Sequence, residues 1–147
     1  MSRRPSVSHQ SDEATLVVDT SVWIEFLQAT GSPQHLRLVA AIESGSTLVI
    51  PEAVRMELLV GGTSETWAVQ RRRMLDAFDV EPLVPLVDSD AAAAIYRACR
   101  RGGETIRNLI NCQVAAVAIR MDLPLLHRDR DFDAIRRHTP LRVAAST

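Results

Sequence analysis

Acidic residues in separate segments of the chain could bind a metal ion. Asp19 directly follows the apolar run Thr15–Val18, and Asp129 and Asp131 stand just after the apolar run Leu123–His127. If the second segment stays extended, alternation aims both of its carboxylates the same way. Simpler roles remain open: Asp19 could cap a helix, and the other two could lie in a solvated turn with local arginine–aspartate pairs.

Glu57 adds a carboxylate on the inner face of a helix. With about 100° per residue and Val54 at zero, Glu57 falls at about 300°, within the apolar arc, whereas Glu52 and Arg55 point away. A carboxylate on such a face is costly unless it has a partner. An ion pair with an arginine and a bound cation would both satisfy it.

Three or four carboxylates that meet above a sheet favour a divalent cation. Like charges packed closely cannot all stay ionised without one. Oxygen ligands alone favour Mg²⁺ or Mn²⁺ over zinc, and the scattered histidines and the two apolar cysteines, Cys99 and Cys112, offer no zinc spacing. Such a metal activates water and neutralises charge on phosphorus, so the predicted chemistry is phosphoryl transfer to water.

Apolar strands alternate with helical segments along the chain. Short apolar runs predict strands at residues 15–19, 47–50, 83–87 and 123–127, with a last one at 141–143. Between them, helices are predicted near Pro33–Glu43, after a cap within Asp88–Asp90, and over Thr105–Met121, which is apolar on nearly every side.

This alternation predicts an α/β fold. We expect a single domain over residues 15–147, with a central parallel sheet and helices on both faces, after a flexible tail at residues 1–14. Sites in such sheets lie beyond the carboxyl ends of the strands, where Asp19 and Asp129 fall.

Composition excludes several classes of protein. The 147 residues are 46% hydrophobic and 24% charged, which suits one folded domain rather than a disordered chain. The longest uncharged stretch, Asn108–Ile119, has twelve residues, and a membrane span needs about 20. Because the N-terminal residues are also too polar for a signal peptide, we expect a cytoplasmic protein without membrane contact.

The charges are unevenly distributed. All 17 basic residues are arginine; residues 1–70 carry four of them against eight acids, and residues 71–147 carry thirteen against ten. A basic half could bind phosphates while acids elsewhere hold a metal, although an arginine-rich solvated surface explains the count equally. The absence of lysine argues against phosphate-receiver domains and aspartate-nucleophile phosphatases, which place a lysine near the phosphoryl group.

Four segments resemble the successive motifs of one enzyme family. They are VDTSVW at residues 18–23, PEAVRMELL at 51–59, ETIRNLINCQVAA at 104–116 and HRDRDF at 127–132. In this order and spacing they are similar to PIN-domain ribonucleases, and most of all to the VapC toxins of bacterial, especially actinobacterial, toxin–antitoxin pairs. The resemblance runs from about Leu16 to Val143.

The resemblance implies a PIN-like fold with about five short parallel strands and an endoribonuclease toxin that depends on Mg²⁺ or Mn²⁺. It implies structured RNA, such as tRNA or rRNA, as the substrate, a VapB-like antitoxin as the inhibitor, and a homodimer. By matching position, Asp19, Glu57 and Asp129 become catalytic metal ligands, with Asp131 close to the metal.

Position 111 departs from the family pattern. The family places its third acid where this chain has Asn111, which keeps one oxygen ligand but loses the charge. We keep Asn111 in the predicted catalytic and metal-binding set. The alternative is a catalytically impaired PIN domain that binds RNA or antitoxin without efficient cleavage, and Asn111 could also be a hydrogen-bonded residue of a buried helix.

Further residues are candidates around the acidic site. Ser21 could orient the site through its hydroxyl or cap a helix, and three arginines could hold RNA phosphates or form ordinary salt bridges: Arg107, Arg128 and Arg130. Apolar residues of the early helices are candidates for an antitoxin groove, although most could be core: Trp23, Phe26, Leu27, Leu58 and Leu59.

Overall fold

The fold is described from a computed structural model that covers residues 15–146. The tail predicted at residues 1–14 lies outside the described residues. Within them, the sheet has four parallel strands in the order β3-β2-β1-β4. The strands are β1 Thr15–Val18, β2 Thr47–Pro51, β3 Asp79–Glu81 and β4 Leu125–Leu126.

Seven helices accompany these strands in the described part of the chain. They are α1 Thr20–Leu27, α2 Pro33–Glu43, α3 Glu52–Leu58, α4 Glu65–Leu75, α5 Val87–Arg101, α6 Leu109–Met121 and α7 Arg130–His138. The longest has 15 residues, and none of those described is long and apolar enough to cross a membrane.

The central strand β1 is buried on both sides. Consecutive residues of a strand point to opposite faces, and Leu16, Val17 and Val18 are all at most 1% exposed. Helices therefore cover both faces of the sheet, as an all-parallel sheet requires. The predicted central helix is confirmed as α6, in which Val114–Ala118 are buried, although it begins at Leu109 rather than at Thr105.

Two predictions in the region 79–90 are wrong. The third strand is Asp79–Glu81, where Val49–Pro51 of β2 supply its pairing partners, and the segment 83–87 instead turns into α5. The helix does not take its cap from Asp88–Asp90: it begins at Val87, with Leu86 in the cap position at φ 65°. Asp88 is 1% exposed and faces inward.

The predicted strand at 141–143 is reduced to one bridge. Leu125 pairs in parallel with Val143 alone, so the sheet has four strands plus this bridge where about five strands were expected. On the other side of β4, where it pairs with β1, the Asp19 N–H donates to the Leu126 carbonyl at 3.0 Å. This bond brings the end of β1 beside the segment that leads to Asp129.

Candidate active site

Asp19 lies at the carboxyl end of β1 and caps α1. Its Oδ2 accepts hydrogen bonds from the Ser21 N–H at 3.0 Å and from the Ser21 hydroxyl at 2.6 Å. Its Oδ1 is buried and has no hydrogen-bond partner among the described residues. The side chain is 2% exposed, so one acceptor of this carboxylate is shielded from water and unsatisfied.

The electrostatics of Asp19 link it to two other acids. Burial raises the pKa of Asp19 from its ordinary 3.8 to about 6, even though the hydrogen bonds from Ser21 lower it. The charges of Glu57 and Asp129 raise this pKa further. Hydrogen bonds agree with this proximity: Thr20, next to Asp19, donates to Glu57, and Ser21, which donates to Asp19, accepts from the N–H of the residue before Asp129.

Glu57 extends from α3 toward the start of α1. It accepts a hydrogen bond from the Thr20 hydroxyl at 2.7 Å, and it is half-buried. This contact is with a hydroxyl rather than with an arginine, so the side chain that steadies Glu57 comes from the residue next to Asp19. Thr20 thus joins the helix that follows Asp19 to the helix that carries Glu57.

Asn111, Asp129 and Asp131 form a hydrogen-bonded cluster. The Asn111 Nδ2 donates to Asp129 Oδ2 at 3.1 Å and to Asp131 Oδ2 at 3.0 Å. Asp129 also caps α7 through its Oδ1, which accepts from the Asp131 N–H at 2.9 Å. The segment therefore does not stay extended: Asp131 lies in the first turn of α7, yet its carboxylate still reaches Asn111.

Asp131 holds the loop that precedes α6. Its Oδ1 accepts from the Arg107 N–H at 3.3 Å, and its Oδ2 accepts from the Asn108 N–H at 3.2 Å. Asp131 is 4% exposed, and both of its oxygens are occupied by N–H groups. These contacts favour a positioning role for Asp131, while its role as a metal ligand stays a prediction.

Ser21 connects the carboxyl end of β1 with the segment that follows β4. Its hydroxyl donates to Asp19 and accepts from the Arg128 N–H at 2.9 Å. The Arg128 side chain turns away to an ion pair with Glu25 at 2.8 Å and a hydrogen bond to Gln34 at 3.0 Å. Ser21 thus fixes the segment after β4 against the end of β1.

The other two candidate arginines differ in their contacts. The Arg107 side chain is 60% exposed and lies 3.8 Å from Asp131 Oδ1. Arg130 is exposed. Both line a polar cavity of about 390 Å³, which is also lined by Arg137 and by three acids, Glu104, Asp131 and Asp133. Arg137 is bound to Glu104.

The residues present fit a divalent cation in part. Across residues 15–146, no three acidic, histidine or cysteine side chains stand as a ready metal site. Asn111 replaces one possible acid, and the oxygens of Asp131 accept N–H groups. The unsatisfied Asp19 Oδ1 is nevertheless an acceptor that a cation would satisfy, and the neighbouring donors are oxygens suited to Mg²⁺ or Mn²⁺.

The prediction of an antitoxin groove is wrong for two of its candidate residues. Trp23 and Leu58 are 0% and 3% exposed and belong to the core; the Trp23 ring packs edge-on against Phe26 and Phe78, with centroids 5.8 and 4.9 Å away. Phe26 and Leu59 are partly buried against the same core. Leu27 is 37% exposed, so it is available at the surface.

Comparison with known proteins defines the class. A family model described as PIN domain matches residues 16–138, and the chain belongs to this PIN-domain family. Ribonuclease VapC11 of Mycobacterium tuberculosis is 36% identical over 131 residues, which are 88% of this chain and 98% of that protein. The VapC ribonuclease Mb1587 of Mycobacterium bovis matches to the same extent. At this level of identity the relatives of the chain are thus VapC ribonucleases.

A solved structure supports the fold. FitAcB from Neisseria gonorrhoeae matches with a TM-score of 0.67 and 22% identity, over 89% of this chain and 97% of that one. The parallel sheet with its surrounding helices is therefore the PIN-like fold that the motifs predict.

Sequence reasoning missed two features of the site. The Thr20 hydroxyl bond to Glu57 joins residues 37 positions apart, and the N–H groups of residues 107 and 108 reach Asp131 from 24 and 23 positions away. The Asp-Thr-Ser order around Asp19 was the available signal for Thr20. Backbone donors leave no signal in residue types.

Proposed function

We propose that this chain is a divalent-metal-dependent endoribonuclease toxin of a type II toxin–antitoxin system, acting in the cytoplasm on structured RNA such as tRNA or rRNA. The observation that carries the proposal is the Asp19 carboxylate, which has one buried oxygen without a hydrogen-bond partner in the described part of the chain and the charges of Glu57 and Asp129 beside it. Membership of the PIN-domain family and 36% identity to VapC ribonucleases support this assignment.

Asp19, Glu57 and Asp129 would hold Mg²⁺ or Mn²⁺, with the side-chain oxygen of Asn111 as a weaker neutral ligand. The cation would activate water and neutralise charge on the phosphate. Thr20 and Ser21 hold Glu57 and Asp19 in place. Held in this way, the carboxylates need little rearrangement when substrate binds.

Arginines beside the cleft would bind the RNA backbone. Arg107 and Arg130 are exposed on one cavity that also includes Asp131, so their guanidinium groups are available to phosphate oxygens. Arg128 is engaged by Glu25 and Gln34, and it would have to release these partners to contact RNA.

A VapB-like antitoxin would cover the early helices. Besides Leu27, several apolar side chains of α1 to α3 and just beyond are exposed: Ile24 at 43%, Leu36 at 56%, Met56 at 51% and Val60 at 75%. Met56 precedes Glu57 on α3 and Val60 lies three residues after it, which supports a partner surface near Glu57. A partner segment could bury this surface and direct an arginine to the carboxylates. A homodimer remains part of the proposal by family resemblance.

A second candidate function follows from Asn111. Its Nδ2 points at Asp129 and Asp131, so it donates hydrogen bonds where the family pattern has a carboxylate. This contact favours a PIN domain that binds RNA or antitoxin and cleaves slowly.

The test is cleavage of total tRNA and rRNA by the purified chain in Mn²⁺, in Mg²⁺ and in EDTA, with Asp19→Asn as the inactive variant. The ribonuclease proposal expects cleavage that needs the metal and is lost in Asp19→Asn. RNA binding without cleavage at any metal concentration would favour the second candidate. Cleavage that persists in EDTA would contradict the metal-dependent mechanism.

A further inference from the structure

One buried amide holds two carboxylates in this structure. Asn111 is 4% exposed, and its Nδ2 lies 3.1 Å from Asp129 Oδ2 and 3.0 Å from Asp131 Oδ2. A primary amide has two N–H donors, so each carboxylate can receive one. A neutral donor thus occupies the space between two negatively charged groups.

The space between two neighbouring carboxylates is normally occupied by a positively charged group. Two carboxylates this close repel each other unless a cation or a proton lies between them. Hydrogen bonds from N–H groups to ionised oxygens are stronger than those between neutral groups. The Asn111 amide supplies two such bonds without adding charge.

The contacts of the carboxylate oxygens differ between two halves of the cleft. In the half formed by Asn111, Asp129 and Asp131, the other contacts of the carboxylates come from the N–H groups of residues 131, 107 and 108 and, at 3.8 Å, from the Arg107 guanidinium. In the half formed by Asp19 and Glu57, Asp19 Oδ1 is buried and has no hydrogen-bond partner among residues 15–146. The carboxylates of the first half are satisfied as they stand, and the second half contains an acceptor without a donor.

We propose that Asn111 takes the place of a cation between Asp129 and Asp131. This half of the cleft is then assembled without metal, and a divalent cation is held mainly on the side of Asp19 and Glu57. The inference rests on the proposed function, because it takes the cleft to be the cation site.

The proposal predicts what an acid at position 111 does. Asn111→Asp removes both donated hydrogen bonds and places a third carboxylate against two others. The variant needs a cation in order to hold the cluster together, whereas the chain as written does not. Asn111 therefore acts as a positioning residue that makes the fold of this region independent of metal.

The experiment is thermal unfolding of the full chain at neutral pH, in EDTA and in Mn²⁺, without RNA. In EDTA we expect Asn111→Asp to unfold roughly 5–15 °C below the chain as written. Mn²⁺ recovers most of that loss in the variant but raises the Tm of the chain as written by only a few degrees, since the stabilisation by a ligand grows with the logarithm of its concentration relative to its Kd for the folded state.

Gln70→Glu is the matched control. Gln70 is exposed on α4, and glutamine and glutamate have similar helix propensities. This variant makes the same change from an amide to a carboxylate outside the acidic cluster. We expect its Tm in EDTA, and its response to Mn²⁺, to match those of the chain as written.

Two results would overturn the inference: equal Tm values for Asn111→Asp and the chain as written in EDTA, or equal Mn²⁺ shifts for the two. If Asn111→Asp is unfolded in EDTA, its helical circular dichroism must return when Mn²⁺ is added; failure to return also overturns the inference. No RNA is present, so a failure of the ribonuclease proposal appears only in the cleavage assay.

Discussion

At Asp19, burial and hydrogen bonding shift the pKa of one carboxylate in opposite directions. Ser21 donates twice to Oδ2, but burial dominates, and the pKa rises to about 6. The protein therefore retains, in its own fold, a carboxylate that is costly to ionise. Such cost is common where charge serves binding or catalysis rather than stability.

The raised pKa of Asp19 predicts a pH dependence of stability. Between pH 3.8 and about pH 6, Asp19 holds a proton in the folded chain that it has released in the unfolded chain. The free energy of unfolding therefore falls as pH rises through this range. The full cost at neutral pH is about 3 kcal/mol. Asp19→Asn keeps the helix cap and removes the ionisation. In EDTA, we expect the free energy of unfolding of Asp19→Asn to exceed that of the chain as written by up to about 3 kcal/mol at pH 7.5 and to equal it near pH 3.5.

Urea unfolding across this pH range measures the difference. Asp90→Asn, at an exposed position in the first turn of α5, serves as the control and removes one acid outside the site. A stability difference between Asp19→Asn and the chain as written that stays constant with pH would contradict the assignment of the raised pKa to Asp19.

Asn111 sets the expected rate of cleavage. A neutral amide polarises a cation less than a carboxylate does, and even changes around metal ligands cost 10–100-fold in affinity or activity. We expect feeble cleavage by the chain as written and an increase of at least about 10-fold in Asn111→Asp at saturating Mn²⁺. Initial rates against metal concentration measure this, with Asp19→Asn as the inactive control. Equal rates in the two chains would show that position 111 is not a working ligand.

Among the elements, the junction between β3 and α5 is held by an ion-pair network. Arg120 of α6 donates to both oxygens of Asp88, at 2.9 and 3.0 Å, and pairs with Glu81 at 2.8 Å. Asp88 also accepts from the Val84 N–H at 2.8 Å. Burial alone raises the pKa of Asp88, but these hydrogen bonds lower it overall, so the carboxylate stays charged.

Breaking this network should loosen the junction. Asp88→Asn removes the negative charge that accepts two hydrogen bonds from the Arg120 guanidinium, which lowers the free energy of unfolding by about 2 kcal/mol. We expect the Tm to fall by roughly 4–8 °C. Asp90→Asn, exposed on the same helical turn, should change the Tm by no more than about 1–2 °C. Similar losses in both variants would show that the network does not stabilise the junction.

The same junction shows that local sequence patterns do not predict which segments pair in the sheet. The helix at Pro33–Glu43 and the strand at 47–50 were predicted because their periodicity and caps are local, and both are confirmed. The third strand was misplaced because β2 selects its partner at Asp79–Glu81. Proline at residues 82 and 85 leaves the following segment without two of the N–H donors that a strand needs.

For the site, strand ends and helix faces were enough to select Asp19, Glu57 and Asp129 as candidates. They could not show that Asp131 would accept backbone N–H groups from residues 107 and 108. They also could not show that the Asn111 nitrogen would face two carboxylates. Both arrangements depend on how α6 and α7 pack together, which no local pattern encodes.

In the whole molecule, the acidic cleft adjoins a cavity of mixed charge. Three arginines, Arg107, Arg130 and Arg137, line this cavity together with three acids, Glu104, Asp131 and Asp133. Arg137 is paired with Glu104, whereas Arg107 and Arg130 are exposed. Phosphate contacts from Arg107 and Arg130 would offset part of the repulsion between an RNA backbone and the carboxylates.

This arrangement predicts the salt dependence of RNA binding. Each phosphate contact contributes about −0.7 to −0.9 to the slope of log affinity against log salt concentration. Arg107→Ala with Arg130→Ala should weaken binding of tRNA or rRNA fragments in EDTA and reduce the steepness of the slope by about 1.4–1.8. Arg72→Ala with Arg73→Ala, an equal loss of charge at exposed positions of α4, should leave the slope nearly unchanged. If both pairs reduce the slope equally, the protein attracts RNA through its overall charge, and the cavity beside Asp131 is not where the backbone binds.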